Sequence, residues 1–443
     1  MKLSKTLRTR SAGIAALAAA ALVLSACGPD TSGGGSGADG GDAVDYTGVE
    51  PATEVTFWTN HPGASIELEK EIIAKFEAET GITVNHVTAG ANYEEVAQKF
   101  QTGQVSGDAG DLVVLSDANW FTQYLNGSIT PVDSILEALG EETDSFVPAL
   151  YNDYNYDDVH WAVPYARSTP LFYYNKDLYE QAGITEAPST WEDVAENARK
   201  IQDLGTIGFA YPEESEYPAW TMANLVWGYG GAWSNEWDLS TLTSDETVSA
   251  LTFAQDHENE GAAAVVSGDP STAFSAGAAG QVIASTGSLR GILEAATFEV
   301  GAAFLPAGPA ADSGIVPTGG AGLAVSAASS PEKQLAAAKL ATYLNNAENT
   351  AFFSAGTGYL PVRTNADMSS VYAENPLFEV AVEQLELTRS QDFARVFIPG
   401  GDRVLAQNLQ KILSSGADVA ATLEAVQTEI QANFDRDLKD KVG

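Results

Sequence analysis

Residues 55–84 read VTFWTNHPGASIELEKEIIAKFEAETGITV, and this stretch sets the fold class. It opens on Val55-Thr56-Phe57-Trp58, β-branched and aromatic residues that suit a pleated, half-buried surface. From Ser65 to about Thr80 the spacing turns helical, with Ile72, Ile73 and Phe76 on one face and Gly81 placed as a stop. Ile82-Thr83-Val84 then predicts a second strand. Working outward, Asn92 caps a helix carrying Val96 and Phe100, and Asp111–Leu115 is a further apolar strand. Strands alternating with helices predict a parallel sheet covered by helices. Leu171–Tyr174 continues the pattern, and Thr190-Trp191-Glu192-Asp193 reads as a capping box opening a helix to about Leu204. Strands follow near Gly208–Tyr211, Val282–Thr286 and Val300–Leu305, and the chain closes in helices over 332–345, 404–413 and 419–434. About 390 foldable residues suggest two such α/β units. Two of them in one chain create a cleft, with ligands sitting beyond the carboxyl ends of the strands.

The N-terminus speaks to compartment. Lys2, Lys5, Arg8 and Arg10 precede an apolar run from Ala12 to Leu24, and Leu24-Ser25-Ala26-Cys27 follows. This is the layout of a secretory signal over residues 1–26. The apolar run, roughly 13 residues, is too short to span a bilayer about 30 Å thick. Cys27 is the only cysteine in 443 residues, so no internal disulfide is possible. Residues 28–53 begin as Gly/Ser-rich chain of the kind that forms a flexible tether.

The formal charge is −38, and losing four basic residues and no acids with residues 1–26 leaves 18 basic against 60 acidic side chains, a net −42. Such an excess disfavours nucleic acid and anionic lipid as partners. With 44% hydrophobic residues and eight tryptophans, the chain can still build a core. His61, His86, His160 and His257 are scattered, which predicts no metal site. No Walker loop and no Gly-x-Ser-x-Gly elbow is present, so neither a nucleotide cofactor nor a serine hydrolase is expected. Sixty acids leave a glycosidase-type carboxylate pair open on composition alone.

Several stretches resemble the family of extracellular solute-binding proteins that serve ABC importers of carbohydrates and related polyols. The densest is Ser168–Ile184, STPLFYYNKDLYEQAGI, continued by Pro188–Asp193; Thr318–Gly322 and Thr357–Pro361 add to it. Leu24–Cys27 is similar to a bacterial lipobox, which implies lipidation of Cys27 and an anchor at 27–53. The resemblance implies an α/β, two-lobed, periplasmic-binding-protein-like (type II) fold. One lobe would comprise 54–166 with about 316–366, and the other about 167–315 with 367–443. It further implies a protein at the outer face of the membrane that delivers its ligand to ABC permease subunits, without a cofactor and without catalysis; a monomer is expected, since a lobe pair that opens and closes beside a membrane partner gains nothing obvious from self-association. Gly90–Glu94, Ser285–Leu289 and Arg403-Val404-Leu405 are similar to the glycerol-3-phosphate and glycerophosphodiester branch. Carried over position by position, its ligand contacts fall on Tyr93, Asp117, Ser168, Trp191, Ser285, Gly320, Tyr359 and Arg403. Asp117 departs from the branch, where a glutamate is expected, and Arg395 is an alternative place for the arginine.

The chemistry of this set is coherent. A guanidinium fork suits two phosphate oxygens. Serine hydroxyls and a glycine backbone can complete a cradle, Tyr93 and Asp117 can fix hydroxyls, and Trp191 offers an apolar or cation-binding face. Each residue also has a plainer reading. Arg403 can be a surface helix-start residue, Trp191 packing beside its capping box, and Asp117 a helix cap. Tyr93 and Tyr359 can be packing residues, and Ser168, Ser285 and Gly320 turn formers. Trp220 and Trp233, in an aromatic-rich stretch, read as core. A mono- or oligosaccharide ligand and a surface glycan hydrolase remain the rival functions.

Overall fold

The computed structural model describes residues 44–61 and 64–442. Cys27, most of its linker and the leader lie outside the described residues.

Two sheets organise the body. The first contains Thr83–Thr88, Glu54–Thr59, Leu112–Ser116, Gly319–Ser326 and Ile129–Thr130 in that order, with Val163–Ser168 also pairing with Gly319–Ser326. The second runs Ala263–Val265, Ile207–Tyr211, Ala279–Ser285, Pro170–Asn175, Val300–Ala303. Helices Ala64–Thr80 and Pro331–Leu344 accompany the first sheet, and Trp191–Gln202 packs on the second. The molecule is thus two-lobed, and its ligand cleft lies between the lobes.

Local chemistry explains the elements that frame the cleft. The Asn92 side chain accepts from Glu95 N and starts helix Tyr93–Ser106. The Thr190–Asp193 capping box forms as read from the sequence. Both sheets depart from the expected all-parallel arrangement. Gly319–Ser326 runs antiparallel to Leu112–Ser116, and Pro170–Asn175 runs antiparallel to both of its neighbours. The reason is topological: the chain passes from the first sheet to the second across Thr169 and returns after Ala303. A strand entered directly from the other lobe is free of the right-handed helical crossover that enforces parallel pairing.

Gly319–Ser326 was not expected from sequence, because GGAGLAVS lacks the usual strand residues. Its glycines answer to crowding. A Cβ at Gly319 would meet the Trp220 indole at 2.5 Å, and one at Gly322 would meet the Tyr154 ring at 2.7 Å. Gly320 adopts φ +93, with the Ala166 carbonyl against it.

Candidate functional site

The parallel strands end at one rim, and the cleft opens there. Asp117 directly follows Leu112–Ser116, Ser168 ends Val163–Ser168, and Ser285 ends Ala279–Ser285. Tyr93 begins its helix and Tyr359 follows helix Ala347–Thr357. Together with Gly320 and Arg403, these residues line one cavity of about 460 Å³. Seven of the eight sequence-expected residues therefore meet in one place.

Trp191 does not join them. Its side chain is 1% exposed, it donates Nε1–H to Asn224 Oδ1 at 2.9 Å, and it packs edge-on against Phe209 and Phe253. The capping box turns this first helical residue inward, so the ligand role expected for Trp191 is corrected to core packing. Trp220 moves the other way. It lines the cleft, with its Nε1–H bound to the Thr318 carbonyl at 3.0 Å, whereas Trp233 is core as expected.

Asp117 and Arg395 form the polar floor. Arg395 Nη1 donates to Asp117 Oδ2 at 2.7 Å, and its Nε lies 2.8 Å from Asp402 Oδ1 in a poorly aligned contact. The Asp117 backbone N–H is fixed on the Gly320 carbonyl at 3.0 Å. Asp117 follows a strand of the first sheet, whereas Arg395 sits on Phe393–Val396, which packs on helix Gly401–Ser415. Opposing burial of the guanidinium, the two carboxylates hold the Arg395 pKa above its ordinary value. Asp402 is itself pushed up by burial and by the nearby Asp117 and Glu94 carboxylates, despite Arg395.

Arg403 differs from Arg395. It is exposed on the first turn of helix Gly401–Ser415, and among the described residues its side chain bonds to Gln407 alone, at 3.4 Å. The helix N-terminus adds its positive dipole end to the same wall. Opposite in sign, Glu94, Glu216 and Asp269 also line the cavity. Glu216 is raised by burial and by Asp269 and Glu213. Tyr217 beside it holds a left-handed backbone at φ 54, a region uncommon outside glycine. The phenols of Tyr93 and Tyr359, 3.4 Å apart, are both raised, chiefly by burial, and so stay neutral donors. Five carboxylates and two guanidiniums thus face one pocket, with hydroxyls and aromatic rings between them. Such a surface can orient a polyhydroxylated solute, seat an anionic group beside Arg403 and favour positive or neutral groups elsewhere.

Comparison with known proteins gives this geometry its family. Residues 71–380 match the model of the bacterial extracellular solute-binding proteins. The chain belongs to that family. It is 28% identical over 365 residues to the sn-glycerol-3-phosphate-binding periplasmic protein UgpB of Escherichia coli (strain K12), covering 76% of this chain and 81% of that protein. It is 40% identical to UgpB from Mycobacterium tuberculosis in its crystal structure with glycerophosphocholine, at a TM-score of 0.82, covering 88% of this chain and 99% of that one. The maltose-bound MalE3 of T. maritima shares the fold at a TM-score of 0.72 and 22% identity, covering 86% of this chain and 99% of that one.

Glu216, Tyr217, Asp269 and Asp402 escaped the sequence reading. They stand on separate loops and helix starts, and only the fold brings them to one rim. Tyr217 alone carried a signal, since it precedes Pro218 and is thereby excluded from ordinary helix geometry.

Proposed function

We propose that this chain is the substrate-binding protein of an ABC importer, which captures a glycerophosphodiester or glycerol-3-phosphate by closure of its lobes and presents it to membrane permease subunits. One observation carries the reading. Tyr93, Asp117, Ser168, Ser285, Gly320, Tyr359 and Arg403 line a single cavity, in a chain 40% identical to a relative crystallised with glycerophosphocholine. The lobes divide near 168/169, 315/316 and 366/367, with the hinge passing through Thr169. The protein works as a monomer held by a lipid on Cys27 at the extracytoplasmic face, and it does no chemistry on its ligand.

Charge favours the diester within this class. A phosphomonoester brings close to two negative charges at neutral pH, whereas a choline diester is zwitterionic and brings a cation to the acidic wall. The same five carboxylates, with Tyr217 and Trp220, favour a neutral sugar as the second reading. Thermal shift followed by calorimetry decides between them. Ligand at 100 times its Kd adds about 2.7 kcal/mol of stability. We expect that shift with glycerophosphocholine, and less with glycerol-3-phosphate. A response to maltose or another sugar alone overturns the phosphate reading, and turnover of any of these compounds overturns the binding-only one.

A further inference from the structure

Amide side chains gather on one part of the cleft. Glu94, Ala97, Gln98 and Gln101 all line the cavity, and their spacing of three, four and seven residues places them on one face of helix Tyr93–Ser106. Asn119, Thr122 and Gln123 line it at the same spacing, from the N-cap and body of helix Trp120–Leu125. The two stripes touch where Gln123 Nε2 donates to the Ala97 carbonyl at 3.5 Å. Glu94 is the only charged side chain on either stripe and Ala97 the only apolar one, so together they form a shelf of amides, one hydroxyl and one carboxylate.

Gln123 is the residue that packing alone does not explain. It is 2% exposed, yet its Oε1 meets no hydrogen-bond donor among the described residues. The bond its amide does make, at 3.5 Å, lies beyond the usual range for an N–H donor. A buried amide oxygen without a donor destabilises a fold, and an apolar side chain of similar size would serve a core position better. The neighbouring amides keep capacity to spare. Gln98 Nε2 donates to Glu94 Oε1 at 3.2 Å and Asn119 Nδ2 to Ser116 Oγ at 2.9 Å, and the Asn119 side chain caps no backbone N–H.

These groups select by hydrogen bonding. An amide offers both donor and acceptor, and a hydroxyl answers either. A phosphodiester brings no donor and meets the Glu94 carboxylate, and a trimethylammonium makes no hydrogen bond, so each would leave the amides unpaired. A neutral ring with hydroxyls around it satisfies both stripes. The stripe from Glu94 to Gln101 is about 10 Å long at 1.5 Å per helical residue, which a ring spans better than a three-carbon glycerol. We propose that this shelf is a subsite for a cyclic polyol or sugar group carried on the phosphate, and that Gln123 selects that group. The proposal rests on the glycerophosphodiester reading above.

The test titrates glycerophosphoinositol and glycerophosphocholine, which share glycerol phosphate and differ in the second alcohol, into the full chain by calorimetry. The proteins are wild type, Gln123→Leu and Gln101→Ala, with a thermal melt of each without ligand. We expect Gln123→Leu to weaken the inositol ester about tenfold, the loss of one hydrogen bond to a buried acceptor, and to leave the choline ester within twofold. Gln101→Ala, at an exposed position, should weaken the inositol ester about threefold and spare the choline ester. The ligand-free Gln123→Leu protein should melt no lower than wild type, because the change removes an oxygen that has no donor. Failure of wild type to bind the inositol ester while it binds the choline ester overturns the proposal. So does an inositol-ester affinity unchanged in either variant, an equal loss of both diesters, or a lowered melting temperature of Gln123→Leu. If wild type binds neither diester, the diester reading falls by itself, and the shelf is judged on myo-inositol and maltose. A tenfold loss of either in Gln123→Leu then sustains it, and no binding or an unchanged Kd overturns it.

Discussion

Replacing Arg403 by alanine isolates the phosphate contact from the stability of the fold. The side chain is exposed and, among the described residues, bonds only to Gln407 at 3.4 Å, so its removal leaves no buried group of these without a partner. Surface changes of this kind stay within about 0.5 kcal/mol in stability. A hydrogen bond to a charged group contributes about 1.5–3 kcal/mol, which corresponds to roughly 10- to 150-fold in Kd. The cleft is open to solvent at this wall, so the lower end applies, about tenfold. Arg395→Ala makes the necessary contrast. It strips a buried partner from Asp117 and crowds that carboxylate against Asp402, and breaking a buried pair costs about 3–5 kcal/mol. Affinity lost in that variant therefore says nothing about contact. The assay is calorimetric titration of glycerophosphocholine into wild type and Arg403→Ala, with a thermal melt of each. Equal melting temperatures with a tenfold weaker Kd are expected. A Kd unchanged within twofold would refute the placement of phosphate beside this arginine.

Three further outcomes follow from the packing. Gly319→Ala drives a methyl to 2.5 Å from the Trp220 indole, and overpacking of this kind costs about 1–3 kcal/mol; a lower melting temperature together with loss of ligand binding is expected. Trp191→Phe leaves the buried Asn224 Oδ1 without its indole donor, which costs about 1–3 kcal/mol, while the Kd measured by calorimetry stays unchanged. His257 is 2% exposed among Phe209, Tyr211 and Phe253, and burial lowers its pKa from 6.5 to about 4. Its neutral form is the native one. The stability tied to it is complete above pH 6.5 and drains away as pH falls toward 4, on the order of 3 kcal/mol over that window. Denaturant melts of His257→Phe should lose that part of the acid sensitivity, and an unchanged slope between pH 6.5 and 4 refutes it.

The strand and helix succession from Val55 to Leu115 was legible because its elements carry their own periodicity, and helix starts there and further on carry caps, as at Asn92 and Thr190. Strand direction was not. Whether Pro170–Asn175 runs with or against its neighbours depends on the chain entering it across Thr169 from the other lobe, and nothing within the strand records that. Gly319–Ser326 stayed hidden for a related reason: its glycines are set by Trp220 and Tyr154, residues distant in sequence. In the cleft, seven positions came from resemblance to relatives, and the geometry then gathered them. The errors concern tryptophans. Indoles at Trp191 and Trp220 look alike in a sequence, and only the fold around the capping box and the left-handed Tyr217 separates the one in the core from the one that lines the cleft.

The excess of carboxylates at the cleft mouth bears on how fast a solute arrives. Fields of this sign slow the approach of anions, and dissolved salt, with a Debye length of about 8 Å at physiological strength, relieves that repulsion. Adding salt should therefore speed capture of a doubly charged phosphate ester while leaving a zwitterion nearly unaffected. Rapid-mixing traces at two ionic strengths would then report the charge of the natural cargo before its chemical identity is known.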